Sequence, residues 1–354
     1  MKRLLTLLLV IVLDLNFFFM PAPSSQNMVY GQELYQHVFL PLVANNYQPI
    51  YKIAFQSGQD DNIEIYVINS DGTNLIRLTN NIYEEFEHNW SPDGSKIVFA
   101  SEQDGDFEIY TVDSDSKNLT RLTYNLADEL SPRWSPNGLK ILFISDRYLS
   151  GYEEVFTVNF DGTEETRLTN NTTRDRNPIW SPDSNKTAYV ASGEIFVMNL
   201  GGTGQTKITS KLNVYVYDID WSPDGNQIAF RGEVCDLRCI QDIYVVNVDG
   251  SGLFNLTNGS GVSLNPKWSP SGTKIAYSCN FDICTIGPDG MNIAVLASDP
   301  ATDMYPSWSP DGNRIAFSTD RDGNPEIYLI NSDGSGLTRL TTNEGDDWIP
   351  LWQP

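Results

Sequence analysis

The pentapeptide Trp90-Ser-Pro-Asp-Gly94 decides the fold, because it returns along the chain with little change. Its further copies follow at successive spacings of 44, 46, 41, 47 and 40 residues and begin at Trp134, Trp180, Trp221, Trp268 and Trp308. Another 44 residues lead to Trp352, close to the C-terminus. A period of this size is typical of solenoids, propellers and other repeat arrays.

Each period also holds three short runs that are rich in β-branched and aromatic residues. In the first unit these runs are Lys52–Phe55, Ile65–Asn69 and Ile76–Thr79, and they are too short for helices. Asp-Gly or Gly-Gly follows the second run in six of the seven units, as at Asp71-Gly72, and such dipeptides favour hairpin turns. Together with the tryptophan segment, each unit is predicted to form a four-stranded antiparallel meander.

The phase of the repeat predicts how these sheets assemble. A lone four-stranded sheet exposes its edges and both faces, whereas radial stacking of several sheets buries the faces and gives a propeller. The first unit lacks a tryptophan strand before Lys52, and the chain ends with an extra one, Asp347–Pro354. We therefore expect an all-β, seven-bladed β-propeller of four-stranded antiparallel blades, closed by the C-terminal strand pairing into the first blade.

The repeat unit, with its Trp-Ser-Pro-Asp-Gly turn, resembles the TolB-type, WD-repeat-like β-propeller repeat over residues 51–354. This resemblance implies the fold but not a function, because function resides in sites carried by the fold. Bacterial TolB also has an N-terminal α/β domain for partner contacts. The stretch 26–50 is too short for such a domain, so the resemblance does not imply the whole role of TolB.

Residues 1–25 are predicted to be a signal peptide. Lys2 and Arg3 precede a mostly apolar stretch, and Pro-Ala-Pro-Ser-Ser follows as a zone of small residues for cleavage. An uncleaved signal anchor is the alternative, because Asp14 interrupts the apolar stretch. We expect residues 26–50 to be an N-terminal spacer, and the protein to be secreted or held in the periplasm or cell envelope. No further long apolar run follows, so no membrane insertion is expected after signal cleavage.

The charge of the chain restricts its partners. It carries 46 acidic and 23 basic residues, which gives a formal net charge of −23. Binding to nucleic acid requires clusters of Lys and Arg that release counterions, so a nucleic-acid partner is not expected. A protein, peptide or glycan partner fits better, and we expect the chain to be a monomer.

Histidine is scarce, with His37 and His88 as its two occurrences. Oligogalacturonate lyases have similar propellers but bind their metal through several histidines, which this chain does not supply. His88 lies two residues before Trp90, where five other units have proline, so we interpret it as structural. No G-x-S-x-G motif is present either, and no catalytic residue is predicted.

A carboxylate stands five residues before the tryptophan in five of the seven units, at Glu85, Glu129, Asp175, Asp303 and Asp347. Val216 and Ser263 occupy the other two positions. If the tryptophan strands are innermost, these side chains meet at one mouth of the central channel as an acidic ring. Such a ring attracts cations or a basic peptide, and the alternative is a set of local caps on backbone N–H groups. No cofactor is predicted, with Ca²⁺ as the one candidate ion.

Four cysteines occur late in the chain, at Cys235, Cys239, Cys279 and Cys284. An even number in an exported protein favours disulfides, with three connectivities. Local pairing of Cys235 with Cys239 and of Cys279 with Cys284 is the simplest. Pairing between neighbouring units and a four-cysteine zinc site are the alternatives.

Two hypotheses of function follow. The first is an exported, non-enzymatic binding or scaffold module for a protein, peptide or glycan, which uses the loops and the channel mouth of the propeller. The second is a lyase or hydrolase that works in the channel with a carboxylate pair or a metal ion.

Overall fold

The computed structural model describes residues 49–354, apart from 60–61, 150, 210–213, 236–237 and 260. The predicted signal peptide, nearly all of the predicted spacer and His37 lie outside the described residues. The described residues form 28 strands in seven four-stranded antiparallel sheets. Within this part of the chain, no helix is long and apolar enough to cross a bilayer.

The strands follow the repeat closely. Blade 1 contains β1 (Lys52–Ser57), β2 (Glu64–Asn69) and β3 (Ile76–Arg77), and its inner edge is the last strand of the chain. Blade 2 contains β4 (Glu85–Trp90), β5 (Lys96–Ser101), β6 (Glu108–Asp113) and β7 (Thr120–Arg121). Blade 3 contains β8 (Glu129–Trp134), β9 (Lys140–Ser145), β10 (Glu154–Asn159) and β11 (Thr166–Arg167). Blade 4 contains β12 (Asp175–Trp180), β13 (Lys186–Ala191), β14 (Glu194–Asn199) and β15 (Thr206–Lys207). Blade 5 contains β16 (Tyr215–Trp221), β17 (Gln227–Cys235), β18 (Cys239–Asn247) and β19 (Phe254–Asn255), and blade 6 contains β20 (Ser263–Trp268), β21 (Ile275–Cys279), β22 (Asp282–Ile286) and β23 (Ala294–Ala297). Blade 7 contains β24 (Asp303–Trp308), β25 (Arg314–Thr319), β26 (Glu326–Asn331) and β27 (Thr338–Arg339). The closing strand is β28 (Asp347–Trp352).

The tryptophan strands are the inner strands of the blades. Each contacts the inner strand of the next blade, and the ring of contacts closes between β28 and β4. Seven apolar clusters fill the spaces between neighbouring blades. The alternation of strand side chains explains this arrangement, since Ile53 and Phe55 pack toward blade 7 while Ala54 between them packs toward blade 2.

The closure between the two ends of the propeller confirms the prediction. Strand β28 pairs antiparallel with β1, and Ile53 lies opposite Trp352. The backbone N–H of Gln353 donates to the carbonyl oxygen of Lys52 at 2.8 Å. Across the seam, the indole N–H of Trp90 donates to the backbone oxygen of Leu351 at 2.9 Å. Seven blades therefore form a closed ring, with the last strand completing the first blade.

The Trp-Ser-Pro-Asp-Gly turn is stabilised by its own side chains. The Ser91 hydroxyl accepts the backbone N–H of Lys96 at 2.9 Å, and the Asp93 carboxylate accepts that of Ser95 at 3.0 Å. Gly94 has a φ of 66°, a conformation that glycine adopts without a steric penalty. The recurrence of this pentapeptide thus reflects the turn that joins each inner strand to the next strand of its blade.

A β-bulge interrupts each inner strand before its tryptophan. The residue three before the tryptophan has a positive φ in six of the seven blades, at Glu87, Ser131, Asn177, Asn265, Tyr305 and Ile349. In blade 5 the register shift is also present, but Asp218 is not among the residues with positive φ. Blade 5 therefore departs from the regular inner strand.

Candidate functional site

The five predicted carboxylates are each the first residue of an inner strand. All five are fully buried, so they are not open to the channel as an acidic ring. The physical reason is the β-bulge between this position and the tryptophan: it shifts the side-chain alternation by one residue, so that both face the interface between blades although they are five residues apart. Binding of a ligand by these residues stays a prediction, and it would require the blades to open around Glu85, Glu129, Asp175, Asp303 and Asp347.

Hydrogen bonds hold these buried carboxylates. Glu85 accepts from the Asn81 amide at 2.8 Å and from the Ser101 hydroxyl at 2.9 Å. Glu129 accepts from Ser145 and from Arg147, at 2.6 and 3.0 Å. The donors are therefore side chains rather than the backbone N–H groups of a local cap. A buried carboxyl group needs such partners, because burial without them is costly.

A second set of acids, which the sequence analysis missed, completes these sites. An acidic residue immediately precedes the second apolar run in all seven units, at Glu64, Glu108, Glu154, Glu194, Asp242, Asp282 and Glu326. In five of the seven units a basic residue thirteen positions later is the accompanying signal, as in Arg77 after Glu64, whereas Asn255 and Val295 stand there in the other two. The Arg77 guanidinium donates to the Glu64 carboxylate at 2.8 Å, and Arg339 does the same to Glu326.

The two sets of acids meet across the interface between blades. Burial would raise the pKa of Glu64, but hydrogen bonds from Thr79, Asn81 and Arg77 outweigh burial and hold that pKa below its usual value. Burial, together with the neighbouring Glu64, raises the pKa of Glu85 to about 8. In this pair Glu64 is therefore ionised at neutral pH, while Glu85 keeps its proton. One carboxyl oxygen of each residue, Oε2, has no hydrogen-bond partner among the described residues, and a shared proton can satisfy both.

The same arrangement recurs around the ring. Burial and the neighbouring Glu108 raise the pKa of Glu129 to about 8. Burial raises the pKa of Asp175 and of Asp347 to about 6. An acid paired with its conjugate base can transfer protons, but these pairs are enclosed and no substrate can touch them in this structure.

His88 lies inside β4 and is buried against the backbone of Ala54 and Ile349 in blade 1. Burial lowers its pKa to about 4, so the imidazole is neutral at neutral pH. It fills the space that proline fills in five other inner strands, which supports the structural interpretation.

The cysteines pair locally, as the simplest interpretation expected. A Cys235–Cys239 disulfide closes the hairpin between β17 and β18. A Cys279–Cys284 disulfide links β21 to β22. Among the described residues, one group has the spacing of metal ligands, namely Glu233 with Cys235 and Cys239, and there the disulfide occupies both sulfur atoms.

An open cavity of about 350 Å³ lies between the first residues of the inner strands of blades 4 and 5. Its lining includes Arg174, Arg176 and Asn177 from blade 4 and Tyr215 and Tyr217 from blade 5. We call it the blade 4–5 cavity. Sequence reasoning did not identify it, although the signal was present: this unit is short, with 41 residues between Trp180 and Trp221, and Val216 replaces the usual acid.

Comparison with known proteins agrees with this architecture. A sequence family described as the TolB β-propeller domain matches residues 43–149, 129–231 and 154–282, which together exceed half of the chain. The chain belongs to the TolB β-propeller domain family. The matched residues span β1 to β21, and membership leaves the ligand unspecified.

Individual relatives are distant. An uncharacterized protein of Agrobacterium fabrum is 28% identical over 166 residues, which are 47% of this chain and 42% of that protein. The chain thus spans less than half of this relative. TolB from Acinetobacter baumannii has a similar structure, with a TM-score of 0.57, 18% identity, and coverage of 86% of this chain and 67% of that one. Oligogalacturonate lyase from Vibrio parahaemolyticus has a TM-score of 0.65 at 15% identity, with coverage of 79% and 86%. At these identities the two structures show a shared fold alone.

Proposed function

We propose that this protein is an exported, non-enzymatic binding or scaffold module, and that its propeller holds a protein, peptide or glycan partner. The observation that supports the proposal is which side chains are buried and which are accessible. The carboxylates suited to acid–base chemistry are enclosed between blades, whereas the blade 4–5 cavity is open and lined by arginine and tyrosine. Such a lining suits reversible recognition of a polar ligand.

Export follows from the sequence of residues 1–25, which lie outside the described residues. Its test is the mass of the protein recovered from the medium or the envelope fraction of an expressing cell. Loss of the first ~25 residues supports cleavage of a signal peptide. An intact N-terminus in the cytoplasmic fraction contradicts export.

Binding without turnover is the central test. The protein is incubated with panels of oligosaccharides and peptides, and each mixture is examined for a rise in melting temperature and for product by mass spectrometry. A ligand present at ~100 times its dissociation constant stabilises the folded state by about 2.7 kcal/mol, which a melting curve resolves. Binding with the ligand recovered unchanged supports the proposal, and turnover of any panel member contradicts it.

The second candidate is a channel-sited lyase or hydrolase that depends on carboxylates or a metal ion. The fold shared with oligogalacturonate lyase is the observation that favours this second candidate. Titration with Ca²⁺ and Mn²⁺ separates the two proposals. A large, metal-specific rise in melting temperature together with metal-dependent product formation supports the enzyme. Melting curves that respond to neither ion, together with no product from any panel member, support the binding module.

A further inference from the structure

The charge of the blade 4–5 cavity is opposite to that of the whole chain. The formal net charge is −23, yet the two charged side chains that line the cavity are both arginines, Arg174 and Arg176. Arg174 is paired with Glu153, and its Nε–H donates to the carboxylate at 2.6 Å. Arg176 also lies within electrostatic range of Glu153, but its side chain forms no hydrogen bond or ion pair with any described residue. One guanidinium is therefore free to bind an anion, and its planar fork matches a carboxylate.

Two tyrosines also line the cavity, and one of them is held by a stacked guanidinium. The ring of Tyr217 packs against the Arg231 guanidinium, with 4.2 Å from Cζ to the ring centroid. Arg231 is itself paired with Asp218 at 3.4 Å, which anchors the stack. Tyr215 packs over Gly193 and still exposes 65% of its surface. Ring surfaces that end in a hydroxyl provide contact area at a low cost in conformational entropy.

A short hairpin lines one side of the cavity. Strands β13 and β14 are joined by two residues, Ser192 and Gly193, whereas six residues join β5 to β6 in blade 2. Gly193 has a φ of 76°, and a Cβ atom there would lie 2.7 Å from Cδ1 of Tyr215. The glycine thus serves both the turn and the position of the ring. The connection at this end of blade 4 is therefore four residues shorter than its counterpart in blade 2.

The turn at Gly193 already pairs one backbone N–H of the cavity lining. The backbone N–H of Val216, at the start of the inner strand, donates to the carbonyl oxygen of Gly193 at 3.0 Å. An extended peptide that binds by strand addition needs such backbone groups unpaired. Asn177 and Ser192 add an amide and a hydroxyl to the lining, which are suitable partners for hydroxyl groups. A compact ligand with hydroxyls, a carboxylate and a flat face is the best match.

We propose that the blade 4–5 cavity binds the carboxylate-bearing sugar of an acidic glycan. Arg176 pairs with the carboxylate, Tyr215 and Tyr217 contact the sugar ring, and Asn177 and Ser192 bind its hydroxyls. The volume, about 350 Å³, is at the low end of the range of ~300–1,000 Å³ for ligand pockets and suits one or two sugar rings. This inference rests on the proposed binding function and specifies its ligand class.

The test is calorimetric titration of the full chain with trigalacturonate and with its methyl ester, which has the same rings without the charge. We expect trigalacturonate to bind and the ester to bind at least about tenfold more weakly. Arg176→Ala should weaken trigalacturonate binding by about tenfold or more, and Arg176→Lys should restore part of it, because an ammonium keeps the charge without the fork. Lys117→Ala is the matched control, since it removes one exposed positive charge in blade 2 and should leave binding unchanged.

Three results would overturn the inference. The first is equal affinity for trigalacturonate and its ester, which would remove the role of the carboxylate. The second is an unchanged affinity in a folded Arg176→Ala protein, which would place the ligand elsewhere. The third is equal, Arg176-dependent binding of hexaglutamate, which would identify an acidic peptide as the ligand. If trigalacturonate fails while another panel member binds, this inference fails alone. If no panel member binds, the proposed function fails with it.

Discussion

Replacing Glu85 with glutamine changes the pH dependence of stability in a direction opposite to that of most carboxylates. The folded protein holds a proton on Glu85 up to a pKa of about 8, because burial and the neighbouring Glu64 disfavour its charged form. In the unfolded chain the pKa returns to the ordinary 4.5. Between these values the folded state binds one more proton than the unfolded state. Its contribution to stability is therefore complete below the unfolded pKa and is lost as pH rises through the folded pKa.

The size of the effect follows from this difference. Each pH unit in the window is worth about 1.4 kcal/mol per proton, so a rise from about pH 5.5 to about pH 7.5 removes roughly 2.7 kcal/mol. Coupling to Glu64 spreads the titration over the pair, and about 2 kcal/mol is the expected loss assigned to this site. A glutamine cannot ionise, and its carbonyl oxygen can still accept from Asn81 and Ser101. Its amide then faces the Glu64 carboxylate as the proton did.

The assay is urea unfolding of the wild-type protein and of Glu85→Gln at both pH values, followed by tryptophan fluorescence with the disulfides intact. Relative to wild type, the variant should gain about 2 kcal/mol in unfolding free energy between about pH 5.5 and about pH 7.5. Glu84→Gln is the matched control, because the neighbouring Glu84 is exposed and the same charge is removed. A Glu85→Gln difference that is equal at both pH values, or that falls as pH rises, would refute the reasoning.

Three further predictions concern closure, the inner strands and His88. Deleting Asp347–Pro354 removes β28 and its buried Trp352. Because loss of a buried tryptophan alone costs about 3–5 kcal/mol, circular dichroism should show no cooperative melting at the original temperature. An unchanged melting curve would contradict the closed ring. In urea unfolding, Trp308→Phe should lower the free energy of unfolding by about 1 kcal/mol more than Trp268→Phe does. The Trp308 indole donates to the Lys267 carbonyl oxygen at 3.0 Å, whereas the Trp268 indole has no partner among the described residues. Equal losses would show that this hydrogen bond contributes nothing. The imidazole NMR signals of His88 should not titrate between about pH 5 and about pH 8, because burial lowers its pKa to about 4; a midpoint near the ordinary value of 6.5 would show that the residue is solvated.

The architecture was predictable because the same pattern of four strands recurs seven times in the sequence. The turn at Trp90–Gly94 fixes each inner strand, and the position of Trp352 relative to Lys52 fixes the closure. Family membership and the strand order of blade 1 agree with both inferences. A periodic signal of this kind averages over local departures, so no single unit had to be interpreted correctly.

The candidate sites were harder to predict, since they depend on contacts between blades. The acid five residues before each tryptophan was visible, but its partner Glu64 belongs to a different blade from Glu85. Only the packing of neighbouring sheets brings the two together and buries them. The blade 4–5 cavity depends on the opposite kind of signal, namely departures from the repeat at Ser192-Gly193 and Val216. A single sequence does not distinguish such departures from ordinary variation.

The pairing of the last strand with the first also sets the order in which the molecule can be completed. Because Ile53 lies opposite Trp352, the inner edge of β1 has no partner until the residues up to Trp352 have left the ribosome. Contacts so distant in sequence form slowly, and an unpaired strand edge can accept a strand from another molecule. Among the described strand pairs, this seam therefore waits longest for its partner, and strand exchange between nascent chains is expected there before any other blade.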